Sequence, residues 1–153
     1  MRLEIKILDQ RLHDWGLPRY QSAGAAAIDL FACVDGQVEI RPQAPAILIP
    51  SGIAMLFGDD RTAALILPRS GAGHRSGLVM GNSVGLIDPD YTGEVMISVW
   101  NRNPAGHDPI VIDPGDRIAQ MVFVPVIRPD FSLVAEFSAG TERAGSGFGS
   151  TGS

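Results

Sequence analysis

The segment EVMISVW, residues 94–100, places an aliphatic β-branched side chain at every second position, between Glu94, Met96, Ser98 and Trp100. The side chains at positions 95, 97 and 99 are β-branched and aliphatic, which is the pattern of a strand with one buried face. Similar short apolar runs lie before and after it, and we predict further strands over residues 3–7, 27–33, 46–49, 53–57, 63–67, 117–124 and 131–137. Pro and Gly separate almost all of these runs, at spacings that are typical of a β-barrel or β-sandwich.

Helix is expected at one place only. No segment of ten or more residues keeps a helical stripe of apolar side chains, and the best candidate is a turn or two over residues 70–76, which its glycines weaken. The predicted fold class is therefore all-β. With 153 residues, of which 45% are apolar, the chain fits one compact domain. From residue 138 the composition changes to Gly, Ser, Thr and Ala, so we predict a β domain at 1–137 and a flexible arm at 138–153.

The composition also excludes several functional classes. A net charge of −5 argues against a broad nucleic-acid-binding surface, and no run approaches the roughly 20 apolar residues of a membrane span. Lys6 is the only lysine, which excludes P-loop NTPases and Schiff-base chemistry. Cys33 is the only cysteine, and the alternating start MRLEIKILDQ predicts a strand and not a secretory signal. These features favour a cytoplasmic protein that binds neither nucleic acid nor membrane.

The segment LPRSGAGHRSGLVMGNSVGLIDPDYTGE, residues 67–94, interrupts its apolar runs with the groups that phosphate chemistry needs. Arg69 offers a fork of donors that suits phosphate oxygens. Ser70 is either a phosphate donor or the cap of a short helix. Pro89 holds Asp88 extended at a strand end, where its carboxylate either activates a water or serves only as a turn residue. Tyr91, in the next turn, is either an exposed surface residue without a role in a site or the wall of a sugar pocket.

Polar residues elsewhere raise similar alternatives. Gln120 shares a strand face with apolar residues 118, 122 and 124, so its amide needs either a structural hydrogen bond or a ligand. Asp29 poses the same question among apolar neighbours. In the tail, Arg143 could clamp a phosphate and Phe148 could stack on a base, although an unstructured terminus is the simpler interpretation. Three scattered histidines give no zinc spacing, whereas Mg²⁺ would bind mainly through substrate phosphates.

Five motifs along the chain carry a resemblance to a known family. In order, they are AAIDLFA at 26–32, PRSG at 68–71, GNSVGLIDPDYTG at 81–93, RIAQM at 117–121 and RAGSGFGSTG at 143–152. On these motifs the chain resembles, from end to end, the homotrimeric dUTP pyrophosphatases. The resemblance implies a jelly-roll-like β fold, a threefold trimer with shared active sites, and a C-terminal arm that closes over a neighbour's site. It also implies hydrolysis of dUTP to dUMP and pyrophosphate, which supplies dUMP for thymidylate synthesis and keeps uracil out of DNA.

The resemblance assigns roles to individual residues. Asp88 would activate the water that attacks the α-phosphorus, with Ser70 and Gln120 as further catalytic groups along the phosphate chain. Mg²⁺ would be the cofactor, and Asp29 would order the waters around it. The implied substrate contacts are Arg69, Ser70, Gly71, Asn82, Gly85, Ile87, Tyr91, Met96, Gln120, Arg143, Phe148, Ser150 and Thr151.

The chain departs from the family pattern at three positions where glycine is common, which are Ala27, Ala144 and Ser146. If the last two need a positive φ, each strains the closed arm by ~1 kcal/mol or more. Two other functions fit the same fold: a dCTP deaminase, or a nucleotide-binding regulatory trimer without catalysis. A sugar- or peptide-binding β-sandwich is a third alternative, which the presence of only two tryptophans disfavours.

Overall fold

The structure is a computed structural model, and it describes residues 2–141 and 144 of the chain. Those residues form ten strands and two short helices. In chain order these are β1 (Leu3–Ile7), α1 (Leu12–Trp15), β2 (Ile28–Phe31), β3 (Val38–Ile40), β4 (Ile47–Phe57), β5 (Thr62–Pro68), α2 (Ala72–Ser76), β6 (Leu78–Met80), β7 (Gly85–Ile87), β8 (Glu94–Asn101), β9 (Ile110–Ile112) and β10 (Arg117–Pro125). Neither helix is long and apolar enough to cross a membrane.

The strands form two four-stranded sheets and one two-stranded sheet. The four-stranded sheets have the orders β1–β4–β8–β6 and β2–β10–β5–β7, and β3 pairs with β9. All of these pairings are antiparallel, and most join strands that are distant in the chain. The buried core includes Ile49 and Ile97 of the first large sheet and Ile66 and Met121 of the second. The predicted all-β, jelly-roll-like fold is confirmed.

Strand β8 has the burial that its alternating sequence predicts. Val95, Ile97 and Val99 are fully buried, and the residues between them are only partly covered. Strand β8 pairs with β4 on one side and β6 on the other, so it lies inside its sheet. The alternating segment therefore supplies an interior strand of the sheet that builds one wall of the core.

Strand β4 is one long strand where we predicted two shorter ones. The break was expected near Pro50, but the pairing with β8 only changes register between Pro50 and Ala54. Gly52, inside this irregularity, has a φ of 71°, and a Cβ at this position would lie 2.6 Å from the Cys33 sulfur. A glycine therefore lets the strand bulge toward a close neighbour and continue, without ending it.

The strand predicted over residues 131–137 is wrong for the described chain. No regular structure forms there, and Phe131, Leu133 and Phe137 are 89%, 98% and 89% exposed. Ile127, just before them, is 88% exposed. A period-two pattern needs a sheet to pair with, and in the described chain none reaches this segment. The result is an apolar strip, residues 127–137, of a kind that single soluble chains rarely expose.

Four short elements were not predicted. Strands β3, β6 and β9 have three residues each, and helix α1 has four, so none is long enough to show a clear period. We expected one short helix, and the described residues contain two. Leu12 of α1 is fully buried in the core, which shows why so short a helix persists. The helix predicted over residues 70–76 is confirmed as α2, a π-type turn.

Candidate active site

A cleft of about 240 Å³ lies between edge strand β7 and strand β8. Ligand sites for drug-sized molecules are usually ~300–1,000 Å³, so this cleft is suited to part of a nucleotide, such as its base and sugar. Six of the predicted site residues line it: Asn82, Gly85, Ile87, Asp88, Tyr91 and Met96. The structure thus brings together in one place the residues predicted to recognise the nucleoside.

Gly85 shapes one wall of the cleft. It pairs with Ile66 of β5, and a Cβ at Gly85 would lie 3.0 Å from the Cβ of Ile66. Strand β7 pairs only with β5, so the backbone groups on its other edge are not used by the sheet. Such a row of donors and acceptors is what recognition of a planar base by backbone requires.

The ring of Tyr91 is held in place from two sides. Its hydroxyl donates a hydrogen bond to the Glu94 carbonyl oxygen at 2.9 Å. The ring lies against Gly93, where a Cβ would be 2.6 Å from the Tyr91 hydroxyl oxygen. The Glu94 carboxylate in turn accepts a hydrogen bond from the Gly52 N–H at 3.0 Å, which ties this turn to the β4 bulge. Gly93 is thus a site residue that sequence reasoning missed, although it closes the third motif.

Asp88 stands at the mouth of the cleft and starts the turn that follows β7. Its carbonyl accepts a hydrogen bond from the Tyr91 N–H at 3.1 Å. We expected its carboxylate to be partly sheltered, but in the described chain Asp88 is exposed, so that expectation is wrong for one chain alone. The apolar residues of β7 do not cover the Asp88 side chain, because Asp88 lies beyond the end of the strand.

A larger groove of about 610 Å³ begins on the other side of Asp88. It is lined by the acidic residues Asp59, Asp60 and Asp90, and its only cation, Arg128, already pairs with Asp60 at 3.6 Å. A triphosphate placed there would meet like charges. Positive groups that are free to bind phosphates are therefore not found among the described residues of this groove.

Positive groups are found on the opposite end of the second sheet. Arg69, just after β5, donates from Nε to Asp29 Oδ1 at 2.8 Å and from Nη1 to the Arg117 carbonyl at 3.1 Å. Arg117 Nη1 reaches the other oxygen, Asp29 Oδ2, at 3.2 Å. The Asp29 side chain is only 12% exposed, so its carboxylate is a largely covered anchor between two guanidinium groups. This anchor fixes Arg69 at the predicted phosphate site.

Gln120 joins the same cluster. Its Nε2 donates a hydrogen bond to the Pro68 carbonyl at 2.9 Å, which is the structural alternative we had left open. An amide nitrogen carries two hydrogens, so a second one remains for a ligand. We expected Gln120 and Ile118 on one strand face, but the register shift between Arg117 and Ala119 turns Ile118 into the core, where it is 2% exposed. That expectation was wrong because a bulge interrupts the period.

The two groups of site residues lie far apart within one chain. Ile87 pairs with Ala64, so Asp88 continues toward position 63, whereas Arg69 lies beyond the other end of β5. Six residues of extended chain correspond to a separation on the order of 20 Å. Because Arg69 is held by Asp29, its side chain cannot cross this distance. One chain therefore does not bring the carboxylate predicted to activate water and the predicted phosphate cluster to the same place.

Comparison with known proteins accounts for this arrangement of motifs. The family model described as dUTPase matches residues 13–152 of the chain. The chain belongs to the dUTPase family. A deoxyuridine 5′-triphosphate nucleotidohydrolase of Acinetobacter baylyi is 52% identical over 153 residues, with 99% of each chain covered. A mutant dUTPase of Staphylococcus bacteriophage 80alpha, solved with dUpNHpp, superposes with a TM-score of 0.84 at 26% identity, covering 99% of both chains.

A metal site formed by protein side chains alone is not found in residues 2–141 and 144 of this dUTPase-family chain. Asp29 uses both carboxylate oxygens on arginines, so it is not available as a simple direct ligand. Each oxygen keeps a further lone pair that can accept from a water. This donor set fits a cation that keeps its waters. Another dUTPase, a mutant from phage phi11 of S. aureus, has a structure that describes the coordination of a structural Mg(II) ion, at 23% identity and a TM-score of 0.76 over 91% of this chain and 100% of that one.

The fifth motif of the family falls mostly outside the described residues. Arg143, Phe148, Ser150 and Thr151 are among those not described, so their roles stay predictions. Ala144 is described, and its φ of 44° is in the left-handed region. That region costs a residue with a Cβ roughly 1–2 kcal/mol. Ala144 thus has a positive φ in this structure, and the need for one in the closed arm stays a prediction.

Proposed function

We propose that this protein hydrolyses dUTP to dUMP and pyrophosphate by attack of water on the α-phosphorus. The observation that carries the proposal is the cleft between β7 and β8, which gathers a nucleoside-sized space and a carboxylate at its mouth. Membership of the dUTPase family supports the same reaction. In the cell such a reaction would supply dUMP for thymidylate synthesis and keep uracil out of DNA, and we place it in the cytoplasm.

The nucleoside would enter the cleft with its base against β7. Asn82 and the free backbone edge from Gly85 to Ile87 would bind the polar edge of uracil, and Met96 would contact its apolar side. Tyr91 would lie against the deoxyribose. Because its ring is fixed by Glu94 and Gly93, it could not move aside for a ribose 2′-hydroxyl. Such a rigid wall excludes a larger sugar more effectively than a mobile one.

Chemistry would begin at Asp88. From the mouth of the cleft its carboxylate would orient a water and take its proton as the water attacks the α-phosphorus. Arg69 and the second amide hydrogen of Gln120 would bind the phosphate oxygens. Ser70 and the Gly71 backbone N–H would donate to the bridge between the α- and β-phosphates, where charge develops as pyrophosphate leaves. Mg²⁺, held by the phosphates and by waters that Asp29 accepts from, would neutralise further charge.

We further propose that the working enzyme is a homotrimer whose sites are shared between subunits. The separation of Asp88 from Arg69 supports this, because a second subunit could bring its own phosphate cluster to the first subunit's cleft. The exposed Asp88 and the apolar strip 127–137 also support association, since both would be covered by another subunit. The threefold symmetry itself rests on the family resemblance.

Residues 138–153 would act as an arm on the β domain formed by residues 1–137. In this proposal Arg143 would reach the γ-phosphate and Phe148 would stack on uracil, while Ser150 and Thr151 would add phosphate contacts. The glycines around them would allow a close approach to the substrate. Closing the arm would exclude bulk water and strengthen each of these contacts.

Product analysis tests the reaction. The purified protein is incubated with Mg²⁺ and separately with dUTP, dTTP, dCTP and UTP. We expect dominant conversion of dUTP to dUMP and pyrophosphate. Asp88→Asn should lower kcat by roughly 10²–10⁴-fold. Asp90→Asn is the matched control, because it removes an exposed carboxylate two residues away and should leave kcat nearly unchanged.

The same experiment separates the alternatives. Release of ammonia from dCTP would indicate a deaminase on this fold. Tight binding of dUTP without turnover would indicate a regulatory trimer. Inertness toward dUTP in both binding and turnover would mean that the five motifs describe only the fold.

A further inference from the structure

Arg75 lies over the backbone of Gly71, at the start of the segment that forms α2. The two residues are four positions apart and so share a helix face. Gly71 has helical torsion angles, with φ of −66° and ψ of −45°, and it lacks a side chain. A Cβ built there would lie 3.0 Å from Arg75 Nη2 and 3.8 Å from its guanidinium carbon. The guanidinium is thus folded back along the helix toward Arg69, Ser70 and Gly71.

The Arg75 guanidinium has no hydrogen-bond or ion-pair partner among residues 2–141 and 144. Its side chain is exposed, and it makes no ion pair or hydrogen bond with another described residue. Arg102, by contrast, is used on the Gly73 and His74 carbonyls at the end of the same helix. A guanidinium that lies beside the proposed phosphate site and has no bonding partner among the described residues is arranged to bind an anion.

The charged side chains at this end of the molecule show why a further arginine would help to bind phosphates. Arg69 and Arg117 share the single carboxylate of Asp29, so two positive charges and one negative charge leave one net positive charge. Arg75 adds a further positive charge close to Gly71. Lys6, on β1, is the only lysine, so arginines must supply nearly all of the positive charge that a triphosphate needs.

We propose that Arg75 is an additional phosphate-binding residue, which contacts the β- and γ-phosphates of the substrate and then the departing pyrophosphate. Ser70 and Gly71 begin the turn, next to the α–β bridge, and Arg75 comes one helical turn later. A guanidinium in this position reaches the distal phosphates and leaves the nucleoside and the α-phosphate untouched. This inference rests on the proposed function, because it needs a nucleoside triphosphate at Arg69 and Ser70.

The test compares two ligands that differ only in the distal phosphates. Affinities for the nonhydrolysable analogue dUpNHpp and for dUMP are measured by calorimetry on the full-length protein with Mg²⁺. Arg75→Gln should weaken dUpNHpp binding roughly tenfold and leave dUMP binding unchanged. Arg75→Lys should recover part of the loss, because a lysine keeps the charge but not the fork. Arg41→Gln, which removes the same charge from an exposed position directly after β3, should change neither affinity.

A second variant tests the contact itself. Gly71→Ala keeps an allowed backbone but pushes the Arg75 guanidinium outward. It should weaken dUpNHpp binding by a smaller factor, and this effect should largely disappear in the Arg75→Gln background.

Several results would overturn the inference. These are an unchanged dUpNHpp affinity in Arg75→Gln, an equal loss for dUMP, or a lowered melting temperature that accompanies the loss. The proposed function is judged separately by turnover of dUTP in the unmodified protein. If that protein makes dUMP and pyrophosphate while Arg75→Gln binds dUpNHpp normally, only the role of Arg75 is rejected.

Discussion

Replacing Gly93 by alanine should loosen the discrimination between deoxyribose and ribose without touching the substrate directly. The new Cβ would lie 2.6 Å from the Tyr91 hydroxyl oxygen and 2.7 Å from the adjacent ring carbon. The optimal van der Waals separation between carbon atoms is about 3.5–4.0 Å, so the ring would have to move by about 1 Å. The wall that we propose lies against the sugar would move with it.

The energetic cost follows from the hydrogen bond that the Tyr91 hydroxyl makes within the described part of the chain. Its hydroxyl donates to the Glu94 carbonyl at 2.9 Å, and a shift of this size would break the bond. Such a bond contributes about 0.5–1.5 kcal/mol net. The ring is already 44% exposed, so little further burial would be lost. The free energy of unfolding should therefore fall by about 1 kcal/mol, which lowers the melting temperature by only about 2–4 °C for a domain of this size.

The assay is the ratio of kcat/KM for dUTP to kcat/KM for UTP. In Gly93→Ala this ratio should fall about tenfold, because a displacement of 1 Å is enough to admit an additional hydroxyl. Tyr91→Phe separates the two effects: it should lower stability by a similar amount, but the ring keeps its place against Gly93, so selectivity should fall by less than in Gly93→Ala. Gly36→Ala is the control for glycine replacement itself, since no atom lies within 4 Å of a Cβ there. A Gly93→Ala enzyme that is less stable but equally selective would refute the role given to Tyr91.

Three further outcomes are expected. Asp29→Asn removes the charge that anchors Arg69 and Arg117. KM for dUTP should therefore rise several-fold in steady-state kinetics, and the free energy of unfolding should fall by about 1–2 kcal/mol in urea denaturation. Burial, followed by the neighbouring Asp9 carboxylate, raises the pKa of Cys33 from 9.0 to about 12, so the native thiol should resist a thiol reagent at pH 8. The unfolded chain loses this proton first, so the stabilisation is complete below pH 9 and should be lost as the pH rises toward 12. Ala144→Gly should remove the cost of a positive φ in the closed arm and tighten dUpNHpp binding about fivefold in calorimetry, and an unchanged affinity would remove the strain argument.

Local patterns predicted the strands well where a strand pairs within the chain. The alternation in residues 94–100 was confirmed because β8 has a sheet neighbour on both sides and a core below it. A similar alternation at 131–137 gave a wrong prediction for the described chain, because a period of two indicates only that one face should be buried, and not what will bury it. Patterning contains no information about whether the covering surface belongs to the same chain.

Backbone irregularities caused the other errors. The bulge at Gly52 joined two predicted strands into β4, and the register shift after Arg117 moved Ile118 to the opposite face from Gln120. One extra residue reverses every later side chain, so an error of one position inverts the interpretation of a face. Tyr91 and Gly93 show a further limit: their contact depends on the path of a turn, which composition does not specify.

The sequence by itself determined the all-β class and the five motifs, and through the family resemblance it predicted which residues serve the nucleotide. These depend on local alternation and on the chemistry of single side chains, which a linear chain displays directly. Only the tertiary structure decided that these residues form two groups, with Asp88 near one end of β5 and Arg69 beyond the other. That division arises from antiparallel pairing between distant segments, whose register is set by non-local packing. For the same reason, one folded chain leaves Asp88, the proposed catalytic carboxylate, on the order of 20 Å from the proposed phosphate cluster.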